Sequence, residues 1–229
     1  MRHWRSCPAL LIGLFAGGLL LAGPAFGGRI ILDDFNRPDG SDMGPNWIEQ
    51  AGDFGITSGR ASGANGSLMT FVGATSNRVS VDAFPSSSLS YVAIVLGYAD
   101  LDNCLFMKVQ NQGATLFNFA AFYHGNNVGS QFFPLSSPFA SARMTASLIG
   151  GVAYLEFDTD FDGTPEQTYS YSGYSLGSLG TGIGLGSWGW ATMDNFAIET
   201  EAIPEPGTAA LLGPALAGLA LALRRRRRG

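Results

Sequence analysis

The residues with the clearest chemical potential lie in one short acidic segment, which offers four carboxylates and the backbone carbonyl of Thr164. They are Asp158, Asp160, Asp162, Thr164 and Glu166. The three aspartates occupy positions 1, 3 and 5 of an Asp-x-Asp-x-Asp-Gly loop, whose alternate residues direct their oxygens at one cation. Position 12 is Tyr169 and not the bidentate glutamate, so the loop is not a complete EF-hand. The spacing predicts a calcium site of modest affinity; the alternative is a β-hairpin whose acidic turn faces water.

Two tryptophans near the end of the domain could stack on sugar rings. Trp188 and Trp190 are separated by Gly189, so in an extended strand they would point to the same face. An exposed pair would form a platform for a glycan, and the alternative is a hydrophobic edge covered by a loop. His124 has no Gly-x-Ser-x-Gly segment to accompany it, so we interpret it as a loop residue and not as part of a Ser-His-Asp triad. Trp47 is assigned to the core.

The elements that would position these side chains are all β-strands. Apolar and polar residues alternate with a period of two in many short segments, and Gly- and Asn-rich turns separate them. The predicted strands are 30–32, 78–84, 91–98, 104–110, 115–123, 143–148, 152–158, 168–174, 182–190 and 193–200. The helical period is absent between residues 28 and 200. We therefore predict one all-β domain, an antiparallel two-sheet sandwich.

Short motifs at both ends of this domain suggest a fold family. Residues 33–40 read DDFNRPDG, 46–47 read NW, 54–61 read FGITSGRA and 193–196 read MDNF. This pattern resembles the concanavalin A-like (LamG-type) jelly-roll domains of secreted bacterial proteins. The resemblance implies a jelly roll in which the first and last strands are neighbours. It does not by itself give a function.

Some concanavalin A-like proteins are laminarinase-type hydrolases, which carry a Glu-x-Asp-x-x-Glu strand. Glu156, Asp158 and Asp160 match this pattern in part, but the last acid comes one residue early and is an aspartate. Retaining hydrolysis needs two carboxyl groups about 5–5.5 Å apart over a cleft, which this segment does not secure. We predict no catalytic residues, and extracellular polysaccharide hydrolysis is the alternative function.

Charge and cysteine content restrict the class of partner. Of the 13 basic residues, two lie before residue 28 and five after residue 205, so six remain between residues 28 and 205 against all 18 acidic residues, a net charge of −12. Such acidity disfavours a nucleic-acid partner. Cys104 is the only cysteine after residue 27, so an intrachain disulfide is impossible.

Residues 1–27 have the organisation of a secretory signal peptide. Arg2 and Arg5 form a basic start, residues 9–22 form an apolar core, and residues 25–27 (AFG) form a small-x-small site for signal peptidase. The alternative is an uncleaved N-terminal anchor, which the small residues before the site disfavour. We predict export.

The last segment, 201–229, has three parts. These are Pro204, Glu205 and Pro206, an uncharged run at 208–223, and five arginines at 224–228. A helix over the run would be about 24 Å long, slightly short of a ~30 Å hydrocarbon core, and its arginine end would stay in the cytoplasm. This arrangement resembles the PEP-CTERM sorting signal of Gram-negative, biofilm-forming bacteria. The resemblance implies recognition by an exosortase and cleavage near the motif, and the alternative is an ordinary tail anchor.

Together these features predict a non-enzymatic protein of the cell surface or extracellular matrix of a Gram-negative bacterium. Its precursor would be held in the inner membrane only transiently, after processing by signal peptidase and before release by exosortase. The 28–200 domain would bind a glycan or another matrix polymer. A third, ligand-free reading is a purely structural matrix component.

Overall fold

The structure is a computed structural model, and it describes residues 28–64, 66–85, 89–113, 116–123, 126–134, 141–172 and 179–200. The predicted signal peptide and the C-terminal segment, with Pro204, Glu205 and Pro206, lie outside the described residues. Within the described part of the chain, no helix is long and apolar enough to span a bilayer.

Every regular element that the structure describes is a β-strand, as the period-two alternation predicts. In chain order the strands are β1 (Arg29–Asp33), β2 (Trp47–Ala51), β3 (Phe54–Thr57), β4 (Arg60–Gly63), β5 (Ser67–Phe71), β6 (Arg78–Phe84), β7 (Tyr91–Tyr98), β8 (Leu105–Asn111), β9 (Leu116–Tyr123), β10 (Asn126–Pro134), β11 (Ala142–Ile149), β12 (Val152–Asp158), β13 (Gln167–Tyr171), β14 (Gly182–Trp188) and β15 (Thr192–Glu199).

The strands form two antiparallel sheets that face each other. One has the order β13-β12-β11-β6-β15-β4-β3, with β1 also paired to β15; the other has the order β10-β9-β8-β7-β14-β5-β2. Arg29 lies opposite Glu199 in the β1–β15 pair. The expected pairing of the first and last strands is thus confirmed, and the all-β jelly-roll sandwich with it.

The core lies between the sheets, where the inward residues of both meet. Its largest fully buried side chains include Phe35, Phe119, Phe157, Phe196 and Met69. Each sheet alternates inward apolar residues with outward ones, so one face of each sheet is turned away from this core. Gly27–Glu201 forms one compact unit that contains all of these strands and core residues.

The opening motif of the domain has a structural role, because it holds the first strand against the core through hydrogen bonds to Asp33. Arg37 Nη2 donates to both carboxylate oxygens of Asp33, and Trp47 Nε1 donates to Asp33 Oδ2 at 2.7 Å. Trp47 is buried, as predicted, with its ring 4.9 Å from that of Phe196. One carboxylate therefore ties the first strand to the core tryptophan.

Five strands were not predicted, namely β2, β3, β4, β5 and β10. The first four are only four or five residues long, too short for a clear alternation. In β10, Asn126 and Asn127 were assigned to a turn, but they pair with Tyr123 and Phe122 of β9. The predicted strand 182–190 is also too long, because β14 ends at Trp188 and a turn follows.

Candidate functional site

The outward face of the seven-stranded sheet, which we call the open face, carries side chains in rows across the strands. The register of β14, β7, β8, β9 and β10 aligns one row of mostly large residues. This row, the ridge, is Trp188, Tyr91, Gln110, Asn118 and Phe132. Trp188 and Phe132 at its two ends are 42% and 57% exposed, respectively. Large apolar side chains are thus presented to solvent along a line perpendicular to the strands.

A row of mostly small residues lies beside the ridge. This row, the trough, is Leu68, Gly186, Ala93, Lys108, Ala120 and Ser130. Lys108 therefore has alanines on both neighbouring strands, Ala93 and Ala120, and stands among residues that fill little space. The trough and the ridge together shape an elongated depression across the sheet.

A hollow of about 480 Å³ occupies the centre of this depression. Its lining combines aromatic, aliphatic and polar side chains. They are Leu68, Tyr91, Leu101, Cys104, Phe106, Lys108, Gln110 and Trp188. A concave surface with aromatic walls and a few polar groups is the usual composition of a small-molecule or sugar subsite.

The aromatic rings of the hollow are held by one another. The rings of Tyr91 and Trp188 are nearly parallel, at 20°, with centroids 6.4 Å apart. Phe106 meets Tyr91 edge to face, with centroids 5.9 Å apart. A Cβ at Gly186 would lie 2.4 Å from Phe106 Cε2, so the Phe106 ring rests directly on the glycine backbone. Gly186 thus gives the ring its place in the wall.

The polar groups of the hollow form an ordered chain. Gln110 Nε2 donates to the backbone oxygen of Leu89 at 3.0 Å, which turns Gln110 Oε1 towards Lys108. Lys108 Nζ donates to that oxygen at 2.8 Å and lies 4.9 Å from the centroid of the Tyr91 ring. Burial lowers the pKa of Lys108 from its ordinary value. The ammonium is therefore fixed in the hollow and partly removed from water.

Cys104 lines the same hollow, and its surroundings disfavour the thiolate form. Burial, with the nearby charges of Asp100 and Asp102 as lesser causes, raises the pKa of its thiol to about 11. The thiol is therefore protonated at neutral pH, whereas a reactive cysteine needs the thiolate.

The acidic segment forms the connection between β12 and β13. One carboxylate oxygen from each of Asp158, Asp160 and Glu166 lies within 4.8 Å of the other two. Two oxygens bound to one Ca²⁺ at 2.3–2.6 Å can be separated by up to about 5 Å, so these three fit a shared ion. The structure thus brings together three of the four predicted carboxylate ligands.

Backbone hydrogen bonds already hold this connection. Asp158, which is buried, accepts from the N–H groups of Phe161 at 2.6 Å and Gly163 at 3.0 Å. Glu166 Oε2 accepts from Thr159 N at 2.6 Å. Burial is the largest cause that raises the pKa of Asp158, and the Glu166 charge raises it further, against the lowering effect of the backbone N–H groups of Gly163, Phe161 and Asp160.

Asp162 does not belong to the group of three carboxylates. Asp162 Oδ1 accepts from Thr164 N at 2.6 Å, and the Asp162 side chain is not in the group of three. Gly163 has φ of 88°, which makes the predicted turn. Tyr169, at the twelfth position, is buried in β13.

The acids of the partial hydrolase pattern are divided between two places, with Asp158 and Asp160 in the β12–β13 connection and Glu156 outside their group. Glu156 lies on the outward face of the other, eight-stranded sheet, where its Oε2 is 2.7 Å from Arg78 Nη2. Asp158 is engaged by backbone N–H groups, and Asp160 lies beyond the end of β12. Each acid of the pattern is accounted for by a structural contact.

Trp188 and Trp190 do not share a face, contrary to the prediction from their spacing. β14 ends at Trp188, and Gly189 and Trp190 form a turn with φ of 69° and 62°. Trp188 lines the hollow of the open face, while Trp190 borders a separate hollow beside Asp53, Phe54 and Ile56. The alternation rule fails because the strand does not continue past Trp188. His124 lies outside the described residues.

Sequence reasoning missed most of the hollow. Tyr91, Phe106, Lys108 and Gln110 were recognised only as members of two strands. The only local indication is that some outward positions of β7 and β8 hold aromatic residues, where a solvent-facing strand would be expected to hold polar ones. Only the register between strands shows that they meet Trp188.

No family model and no curated protein matches this sequence. Solved structures match its fold. A β-glucanase from Bacillus licheniformis is 10% identical, over 77% of this chain and 99% of that one, with a TM-score of 0.50. A prokaryotic β-1,3-1,4-glucanase (lichenase) from a mouse hindgut metagenome is 8% identical, over 74% and 98%, with a TM-score of 0.50. The apo transglycosylase Crh5 is 18% identical, over 80% and 89%, also with a TM-score of 0.50. At these identities the similarity shows the jelly-roll fold alone.

Proposed function

We propose that residues 28–200 form a non-catalytic glycan-binding domain and that the open face is its binding site. The observation that carries this proposal is the hollow of about 480 Å³ in which Tyr91, Phe106 and Trp188 surround Lys108 and Gln110. The apolar faces of sugar rings stack on aromatic rings, and their hydroxyl groups bond to the polar groups between them. The trough offers a chain of sugars a path across the sheet.

Binding without catalysis is supported by the charges on this face. The lining of the hollow contains no aspartate or glutamate among the described residues, so the two carboxyl groups of a glycosidase are not at hand there. The fold neighbours whose titles name glucanases and a transglycosylase agree with a glycan ligand, although they share only the fold with this chain. Hydrolysis is the second candidate, and it would have to use other residues.

The test compares two exposed tryptophans. Fragment 28–203 contains all fifteen described strands, β1 to β15, and is screened on a glycan array, with reducing-sugar release measured in parallel. Trp188→Ala should lower affinity for the bound glycan about 5- to 150-fold, since stacking of a ring on an aromatic side chain contributes about 1–3 kcal/mol. Trp190→Ala is the matched control and should bind as the wild type does. Equal binding by both variants, or turnover by the wild type, would contradict the proposal.

We also propose that the grouped carboxylates of Asp158, Asp160 and Glu166 bind calcium. Their mutual distances, within 4.8 Å, support this, and the ion would neutralise three crowded negative charges. The role would be structural, since a bound cation would fasten the β12–β13 connection.

Export and sorting complete the proposed function. The basic start and the Pro204-Glu205-Pro206 motif support a precursor that signal peptidase and exosortase process in turn. Replacement of Glu205 and Pro206 by alanine should retain full-length protein in the inner membrane, detected by fractionation and immunoblotting. Efficient appearance of that variant outside the cell would rule out the sorting reading.

A further inference from the structure

We propose that the protein dimerises through β10, whose outer edge pairs antiparallel with the same strand of a second copy. The two seven-stranded sheets then form one continuous sheet. Three features of β10 support this pairing. They are the backbone groups of residues 130–134 on its outer edge, the length of the strand, and the absence of charge around it.

β10 is an outer strand of its sheet, which means that it is paired on one side only. In the described part of the chain it pairs with β9 and with no other strand. The backbone groups of residues 130–134 have no hydrogen bond to any described element except β9. A row of N–H and C=O groups that faces solvent is a template on which another strand can pair.

The length of β10 distinguishes it from the other outer strands. It has nine residues, whereas β1, β2, β3 and β13 have four or five each. Proteins commonly protect the edges of their sheets with short strands and with charged side chains. β1 contains Arg29 and Asp33, and β2 contains Glu49, but β10 contains no charged residue. Among the described strands, β10 is thus the least protected edge.

The distribution of charge favours a second copy as the partner. Residues 109–142 contain no Asp, Glu, Lys or Arg, the longest such stretch between residues 28 and 205, which together have a net charge of −12. Two such acidic domains repel each other wherever their acidic surfaces meet. β13, the outer strand of the other sheet, is also uncharged and lies against β10, since a Cβ at Gly129 would collide with the Tyr169 hydroxyl. On this uncharged side two copies can meet without juxtaposing like charges.

The sequence of β10 is suited to pairing with itself. A bulge near its start and Pro134 at its end limit regular pairing to residues 129–133, whose midpoint is Gln131. A two-fold axis at Gln131 places the two Gln131 side chains together, and each amide can both donate and accept a hydrogen bond. The same register places Phe132, which is 57% exposed, beside Ser130 of the second copy on the open face. The dimer would therefore cover an exposed aromatic ring at the edge of the sheet.

The symmetry of this dimer has a consequence for binding. The two-fold axis is perpendicular to the sheet, so the open faces of both copies point to the same side. Resting on the proposed glycan-binding role, the dimer would offer one polymer two sites and gain affinity from avidity. Association itself needs no glycan and is measured without one, so its failure would leave the glycan-binding proposal intact.

A cysteine scan of the full-length protein tests the pairing directly. Single cysteines replace Ser130, Gln131 and Phe132, and non-reducing electrophoresis after mild oxidation detects the cross-linked dimer. A disulfide needs Cα atoms within about 7 Å, and each step of one residue from the axis separates equivalent positions by a further ~6.8 Å. Cross-linking should therefore be maximal in Gln131→Cys. Ile48→Cys, at an exposed position of the opposite outer strand β2, should stay at the background of the wild type.

A charge on the axis should prevent the association. Full-length proteins are compared in one detergent by size-exclusion chromatography with multi-angle light scattering over a range of concentrations. Gln131→Lys should raise the dissociation constant at least about tenfold, because it brings two ammonium groups together. Ile48→Lys introduces the same side chain on β2 and should associate as the wild type does. All variants keep the same termini, and thermal melting checks that each is folded.

The effect of salt gives an independent measure of the contact. Between about 0.1 and 1 M salt the Debye length falls from ~10 to ~3 Å, so repulsion between two acidic copies decreases and the dimer should strengthen. A contact held by ion pairs would weaken instead. A wild type that stays monomeric, cross-linking that is as strong in Ile48→Cys as in Gln131→Cys, unchanged association of Gln131→Lys, or weakening by salt would each overturn the inference.

Discussion

Removal of single carboxylates from the β12–β13 connection should separate calcium binding from folding. Asp160 is exposed and accepts one backbone hydrogen bond, from Asp162 N at 3.1 Å. Asp158 is buried and accepts two. The calcium-dependent gain in stability should vanish in both Asp160→Ala and Asp158→Ala. Only Asp158→Ala should also destabilise the calcium-free domain, because it leaves two N–H groups without their acceptor.

The magnitudes follow from linkage and from those hydrogen bonds. An ion that binds only the folded state at 100 times its dissociation constant stabilises it by about 2.7 kcal/mol. For a domain of this size, about 2–4 °C of melting temperature corresponds to each kcal/mol, so a rise of roughly 5–11 °C is expected. Loss of the Asp158 acceptor should cost about 1–3 kcal/mol without calcium. In Asp160→Ala without calcium, the hydrogen bond from Asp162 N is lost, but repulsion among the neighbouring carboxylates is also relieved. The two effects should offset each other, so the free energy of unfolding should stay close to that of the wild type.

The assay is thermal melting of fragment 28–203 in EDTA and in millimolar calcium. Asp162→Ala is the matched control, since Asp162 belongs to the same connection but not to the group of three, and it should keep most of the calcium-dependent rise. Identical melting temperatures of the wild type in both buffers would refute the calcium site. Loss of the calcium-dependent rise in Asp162→Ala would instead show that Asp162 is a calcium ligand, as the spacing in the sequence predicts.

The pH dependence of the same melting experiment tests the state of Asp158. Its pKa is raised, mainly by burial, so the folded state binds the proton more tightly than the unfolded chain does. Without calcium, its contribution to the free energy of unfolding is fullest below the unfolded pKa and is lost as the pH rises through the folded one. Calcium needs the ionised carboxylate. The calcium-dependent rise should therefore disappear on acidification, at a higher pH than an unshifted aspartate would give.

Two further substitutions test the packing of the open face and of the opening motif. Gly186→Ala should push the Phe106 ring into the hollow, because the new Cβ would lie 2.4 Å from Phe106 Cε2. We expect weaker glycan binding by calorimetry. Denaturant unfolding should show a loss of stability of about 1–3 kcal/mol. Asp33→Asn should weaken the contacts to Arg37 and Trp47, lowering stability by about 1–3 kcal/mol and altering the near-UV circular dichroism of the tryptophan, with unchanged glycan affinity.

The class of fold could be predicted from the sequence because it depends on local alternation. Strands β6, β7 and β12 are 7 or 8 residues long, and each has the bounds predicted from the sequence, by period-two alternation in β6 and β12 and by a nearly continuous apolar run in β7. The short strands β3 and β4 were missed because four residues hold only two alternations, and their pairing with each other is decided by tertiary contacts. Local alternation is thus sufficient to predict a sandwich of two sheets. It does not predict the short strands, whose formation depends on tertiary contacts.

The candidate sites divide in the same way. Asp158, Asp160 and Glu166 could be found because they lie within nine consecutive residues, so sequence spacing is almost spatial spacing. Tyr91, Lys108 and Trp188 come from three strands far apart in sequence, and a change of one residue in register would turn them to the core. Trp188 and Trp190 lie in different hollows because a turn follows Trp188, and period-two alternation does not predict that turn.

The most recognisable motif of the chain and its proposed binding face therefore serve different ends. The hydrogen bonds from Arg37 and Trp47 to Asp33 tie the first strand to the core tryptophan, and they involve no residue of the open face. The proposed binding face is instead built from outward side chains of β7, β8 and β14. The contacts that stabilise the fold and the residues that we propose to bind a ligand are therefore different, which is why the fold by itself does not give the function.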